Sequence, residues 1–141
     1  MAVNRTDVSV SRTPDGRRLD VSRVVDAPAD AVWELLTDPS RWPEWGPSVG
    51  AVDCEAERIE TGTTGRVRVA GVWIPFEVDG CDDEGYRWTW RVAKVPATGH
   101  RVEPLGEHRC RAVFEVPLLA AGYGVVCERA LRRIEALATR R

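Results

Sequence analysis

The sequence predicts an α+β protein: a curved, seven-stranded antiparallel sheet wrapped around one long C-terminal helix, with two short helices between strands 1 and 2. Three observations predict it. Alternating apolar runs separated by turn signals fill residues 48–116. The last segment instead repeats Leu119, Tyr123, Val126, Cys127, Ala130, Leu131, Ile134 and Leu137 at intervals of three and four. Between the first strand-like run and the others lies a proline-punctuated helical stretch, residues 26–45.

Residues 3–11 alternate weakly, and Thr13-Pro14-Asp15-Gly16 is a turn signal. Residues 1–16 either pair as an extra hairpin arm or hang loose, the arm being the expectation; residues 17–141 form the main domain. After the strand at 17–25, Pro28 suits a first helical turn, because its missing N–H costs nothing there. Val32, Leu35 and Leu36 follow at helical spacing, with Trp33 beside them as core. Asp38-Pro39 ends this helix, since a residue before proline is pushed out of the α region. A second short helix then carries Trp42 and Trp45.

Residues 48–59 read as a strand with drifting parity, which a bulge would explain. Residues 66–69 and 72–78 alternate around an Ala70-Gly71 turn. In 86–92, Trp88, Trp90 and Val92 share one side and Arg87, Thr89 and Arg91 the other. Pro96 starts a loop; Thr98, His100 and Val102 then face inward, as do Cys110, Ala112, Phe114 and Val116. The opposite faces alternate arginines with acids and are expected to be solvated. Pro117 opens the terminal helix; Gly122 and Gly124 mark either a ragged start or a need for room above the sheet.

A net charge of −2 with scattered arginines argues against a nucleic-acid partner. Cys54, Cys81, Cys110 and Cys127 show no CxxC pair or histidine at zinc spacing, and no GxGxxG follows a strand, so no metal, nucleotide or flavin cofactor is expected. No signal peptide or membrane-spanning run is apparent, so free thiols, a cytoplasmic location and no stable membrane insertion are expected. The protein is expected to be a monomer or homodimer.

The pattern Asp26-Ala27-Pro28…Val32-Trp33…Asp38-Pro39…Trp42-Pro43-Glu44-Trp45, with the later strand Gly99-His100-Arg101-Val102-Glu103, resembles the polyketide cyclase/dehydrase branch of the START and birch-pollen-allergen-like (SRPBCC, helix-grip) superfamily. The resemblance covers residues 17–141. It implies a cavity between sheet and helix for an apolar or aromatic small molecule, and leaves carrying and converting that molecule both open.

The residues expected to line this cavity are Trp42, Trp45, Phe76, Trp88, Trp90, His100, Phe114, Leu119 and Tyr123. Together they suggest a pocket of roughly 300 Å³ or more. His100 is the inward residue able to move a proton, although a lone inward histidine is more often a core or ligand-orienting group than a general base. His108 is expected to be exposed; Arg23 would either bind an anion or pair with an acid such as Glu34. As a ligand-binding module the chain would use His100 as polar anchor. As a cyclase or dehydratase it would use His100 with Arg23 or Tyr123 to move protons. A filled core serving a larger assembly is the third reading.

Overall fold

The N-terminal arm is a strand: β1 (Thr6–Thr13) pairs antiparallel with β2 (Gly16–Val25) from Thr13↔Gly16 to Thr6↔Arg23. This computed structural model describes residues 5–140, so Val3, at the start of the expected arm, and Arg141 lie outside the described residues. The prolines act as their chemistry requires. Pro28 is the N-cap of α1 (Ala29–Thr37), and Asp38, extended ahead of Pro39, ends it. A single 3-10 turn leads into α2 (Trp42–Trp45).

Seven further strands follow: β3 (Ala51–Asp53), β4 (Thr64–Val69), β5 (Val72–Asp82), β6 (Arg87–Val92), β7 (Val95–Pro96), β8 (Gly99–Pro104) and β9 (Cys110–Pro117). The sheet order is β1-β2-β9-β8-β6-β5-β4-β3, with β7 on β6, and every pairing is antiparallel. The two strands beyond the seven expected are the arm and the two-residue β7, where a loop was read. The turns Ala70-Gly71 and Ala93-Lys94 have positive φ at both central residues. That matches the twist of the strands they join.

Two expectations about the sheet need correction. Residues 48–59 are not one strand: after Ala51–Asp53 the chain leaves the sheet, because the Ile59 N–H donates to the Thr37 carbonyl (2.9 Å) and Ile59 is buried. The bulge sits instead in β5, where the register with β6 shifts between Val78 and Gly80. The outer face is also not uniformly solvated. Glu115 and Asp20 are buried on it, held by Arg87 and Arg101.

The terminal helix α3 (Gly124–Ala138) starts later than expected. Leu118–Tyr123 is a 3-10 segment kinked at Ala120, so the ragged-start reading of the glycines holds. Gly124 faces Val21 and Leu19 of β2, where a Cβ would stand at ordinary contact distance, 3.7 and 3.8 Å, so the approach of the helix to the sheet does not require glycine there. α3 buries Cys127, Ala130, Leu131 and Ile134 over the sheet. Burial of each large aliphatic side chain there contributes about 1.5–3 kcal/mol. Arg23 does turn inward, but its partner is Glu135 of α3 at 3.0 Å and not Glu34. All four cysteines are free; Cys110 and Cys127 are buried, Cys54 and Cys81 half-buried.

Candidate functional site

Helix ends leave carbonyls without intrahelical partners. At the C-terminal end of α1, two of these are taken by tryptophans: Trp42 Nε1 donates to the Leu36 carbonyl (2.9 Å) and Trp45 Nε1 to the Leu35 carbonyl (2.8 Å). The bonds aim the Trp42 ring against β6 and the Trp45 ring against β8 and β9. There Trp42 stacks on Trp88 (5.3 Å between centroids, 6° between planes), and Trp88 stacks on His100 (4.1 Å, 20°). Trp90 meets this column edge-on, and Phe114 and Trp45 meet the imidazole edge-on at 4.9 and 6.0 Å.

Above these rings lies a cavity of about 270 Å³, roofed by Val126, Cys127 and Ala130 of α3 and reaching Tyr123 at one edge. The structure thus brings together seven of the nine expected lining residues: Trp42, Trp45, Trp88, Trp90, His100, Phe114 and Tyr123. Phe76 does not face the space. It is buried behind it, packed on Trp42 and Trp90 at 5.4 and 5.6 Å. Leu119 is fully exposed, because the 3-10 segment and its kink turn it away from the helical phase that the spacing suggested. Arg23 does not line the cavity either, and His108 is exposed on the surface as expected.

The polar groups at the cavity are few. Burial lowers the His100 pKa to about 3, only partly offset by the charge of Glu115, so the ring is a neutral imidazole near pH 7. Its Nδ1 is enclosed without a hydrogen-bond partner, as are Trp88 Nε1 and Trp90 Nε1. Burial also pushes the Cys127 thiol up to about 12, against a weaker opposing contact with Thr98, so it packs as a small apolar group and not a thiolate. At one edge the hydroxyls of Tyr123 and Ser48 lie 2.5 Å apart. Residues 46–49 also line the cavity and are not among the expected lining residues, because Ser48 and Val49 read as part of a strand; the Gly46-Pro47 break after the tryptophan helix is the signal for a loop there. No aspartate, glutamate, arginine or lysine is among the lining residues, and no cluster of metal-ligating side chains occurs among the described residues.

An antiparallel sheet holding a long C-terminal helix over an apolar cavity defines the helix-grip class. The chain belongs to the polyketide cyclase / dehydrase and lipid transport family, whose model matches residues 16–140. No curated protein matches the sequence. Among solved structures it is similar to the ZhuI aromatase/cyclase from Streptomyces sp. R1128, with a TM-score of 0.67, 19% identity, and coverage of 86% of this chain and 93% of that one. It is also similar to the di-domain aromatase/cyclase BexL of the BE-7585A biosynthetic pathway (TM-score 0.63, 16% identity), covering 82% of this chain and 44% of that longer one. A Thermobifida fusca protein gives a TM-score of 0.63 at 23% identity, over 86% and 90% of the two chains. These identities speak for the fold alone. Among the described residues, no helix is long and apolar enough to cross a membrane.

Proposed function

We propose that this chain holds a compact, uncharged, aromatic or otherwise hydrophobic molecule, polyketide-like or lipid-like, between sheet and terminal helix. The observation that carries this reading is the lining: indole and phenyl rings, aliphatic side chains and no formal charge. Desolvating an ionised ligand there would go uncompensated, whereas flat apolar faces gain from stacking. The volume is near the lower end of the roughly 300–1,000 Å³ of ligand pockets, which favours a compact ligand over a long acyl chain.

Titrating the protein with naphthol and with naphthoate at pH 8 tests the reading through tryptophan fluorescence and thermal shift. Quenching and stabilisation by naphthol, with at least tenfold weaker response to the carboxylate, is expected. Equal response to both, or none to either, would overturn it.

The second reading, a cyclase or dehydratase acting on an aromatic or poly-β-keto substrate, draws support from the family and from the aromatase/cyclases among the similar structures. It would use His100 as base, yet an imidazole with a pKa near 3 is a weak one. Carrying is therefore the better supported of the two.

A further inference from the structure

We infer that the end of the molecule where the cavity opens docks on an anionic lipid surface. The strand directions place four segments together at this end: the Ala70-Gly71 turn, the Ala93-Lys94 turn, the β1–β2 turn and the segment leaving β9 after Pro117, which pairs with Arg18. The cavity-lining residues that keep some exposure, among them Val49, Val69, Val92 and Tyr123, face this same end, while Trp42, Trp88, His100 and Phe114 lie deeper.

Exposed apolar side chains concentrate here. Of the ten large hydrophobic residues exposed among the described residues, seven belong to these segments and the first turn of α3, including Leu118, Leu119, Val72, Val95 and Val125. Isolated exposed apolar residues need no explanation, but tips gathered around the mouth of an apolar cavity do. Trp73, a ring suited to the boundary between water and lipid, lies under Arg66 and Arg68 at 5.2 and 6.0 Å.

Charge selects the occupant. The turns at this end and the strand ends beside them carry Arg12, Arg17, Arg68 and Lys94, none in an ion pair with a carboxylate among the described residues, and a single acid, Asp15, which is tied to Arg87. The turns at the opposite end carry Asp82, Asp83, Glu84 and Glu107, and the loop after β3 carries Glu55, Glu57 and Glu60; the cations there, Arg58 and Arg109, are paired with Asp83 and Asp26, so the balance at that end stays acidic. A molecule polarised in this way turns its apolar tips toward a negative surface, and each cation near such a surface strengthens the attraction.

Flotation with vesicles of phosphatidylglycerol and phosphatidylcholine, beside pure phosphatidylcholine, tests the inference without any cavity ligand. Partition onto the anionic vesicles, weakening as salt rises, is expected. The double variant Leu118→Asp/Leu119→Asp should bind those vesicles at least about tenfold less with an unchanged melting temperature. Val8→Asp/Val10→Asp, on the exposed edge strand β1 and outside the segments gathered at the mouth, should bind like the parent. Absence of partition, or equal losses in both double variants, would overturn the inference. So would a dimer in solution that Leu118→Asp/Leu119→Asp dissolves while vesicle binding is absent, since the occupant would then be a second copy of this chain.

Discussion

In the folded chain the His100 imidazole is stacked on Trp88 and out of contact with water, with its pKa lowered to about 3; in the unfolded chain it titrates near 6.5. Between those values the unfolded chain binds a proton that the folded chain does not. Stability is therefore undiminished above pH 6.5 and falls as pH drops toward 3, with a limiting slope of about 1.4 kcal/mol per pH unit. Replacing His100 by Phe keeps a flat ring between Trp88 and Phe114 and removes the titration. Urea unfolding at pH 6.5 and pH 5 should show the parent losing about 1–2 kcal/mol and His100→Phe almost nothing. Equal losses in both proteins would mean that the buried imidazole is not the group responsible.

At the scale of elements, the cavity edge is held by contact between the loop after α2 and the junction of the 3-10 segment with α3, through the Ser48 and Tyr123 hydroxyls. One hydrogen bond of this kind contributes about 1 kcal/mol net. If these two segments part when a ligand enters or leaves, Ser48→Ala and Tyr123→Phe should speed both steps about fivefold and change the dissociation constant little. Stopped-flow fluorescence with naphthol would read this, and unchanged rates would show that ligands pass elsewhere. Ser48 was missed because the apolar alternation of residues 48–59 reads as a strand from its first residue, whereas the strand begins only at Ala51 and Ser48 lies in the loop before it. By contrast, the period of two in residues 86–92 was enough to turn Trp88 and Trp90 inward, and strand alternation placed His100 and Phe114 beside them. Parity identifies a face but not what covers it. Phe76 shares the inward face and is sealed behind Trp42 and Trp90, an outcome of where α2 lands. Leu119 failed for another reason: over one turn, spacings of 3 and 3.6 residues look alike, and the segment is 3-10.

Across the whole molecule, the two ends of the sheet are joined by the seam between β6 and β8, which spans two register pairs, Arg87↔Arg101 and Trp88↔His100. On the cavity side of this seam lie the stacked indole and imidazole. On the other side lies buried Glu115, accepting from Arg87 at 2.7 Å and Arg101 at 2.8 Å; Arg101 reaches on to Asp20 and Glu103, and Arg87 to Asp15. Gly99 leaves space for the carboxylate, because a Cβ there would stand 3.0 Å from Glu115 Oε1 and 3.3 Å from Thr89 Cγ2. Burial pushes the Glu115 carboxyl up, but the two guanidiniums outweigh it and hold it below the ordinary carboxylate range. The resulting stability is present above the unfolded value near 4.5 and is lost as pH falls through the lower folded value. Glu115→Gln leaves two partly buried guanidiniums without their shared anion and should lower stability by about 3 kcal/mol at neutral pH. Glu103→Gln, at a more exposed carboxylate, should cost no more than about 0.5 kcal/mol. Because the seam also carries Trp88 against His100, Glu115→Gln should weaken naphthol binding without touching a lining residue. Urea unfolding at pH 7 and pH 3.5, with naphthol titrations of each variant, checks both effects. Equal costs for the two variants would show that the buried carboxylate does not hold the seam. Unaltered binding in Glu115→Gln would show that the ring column keeps its place without it.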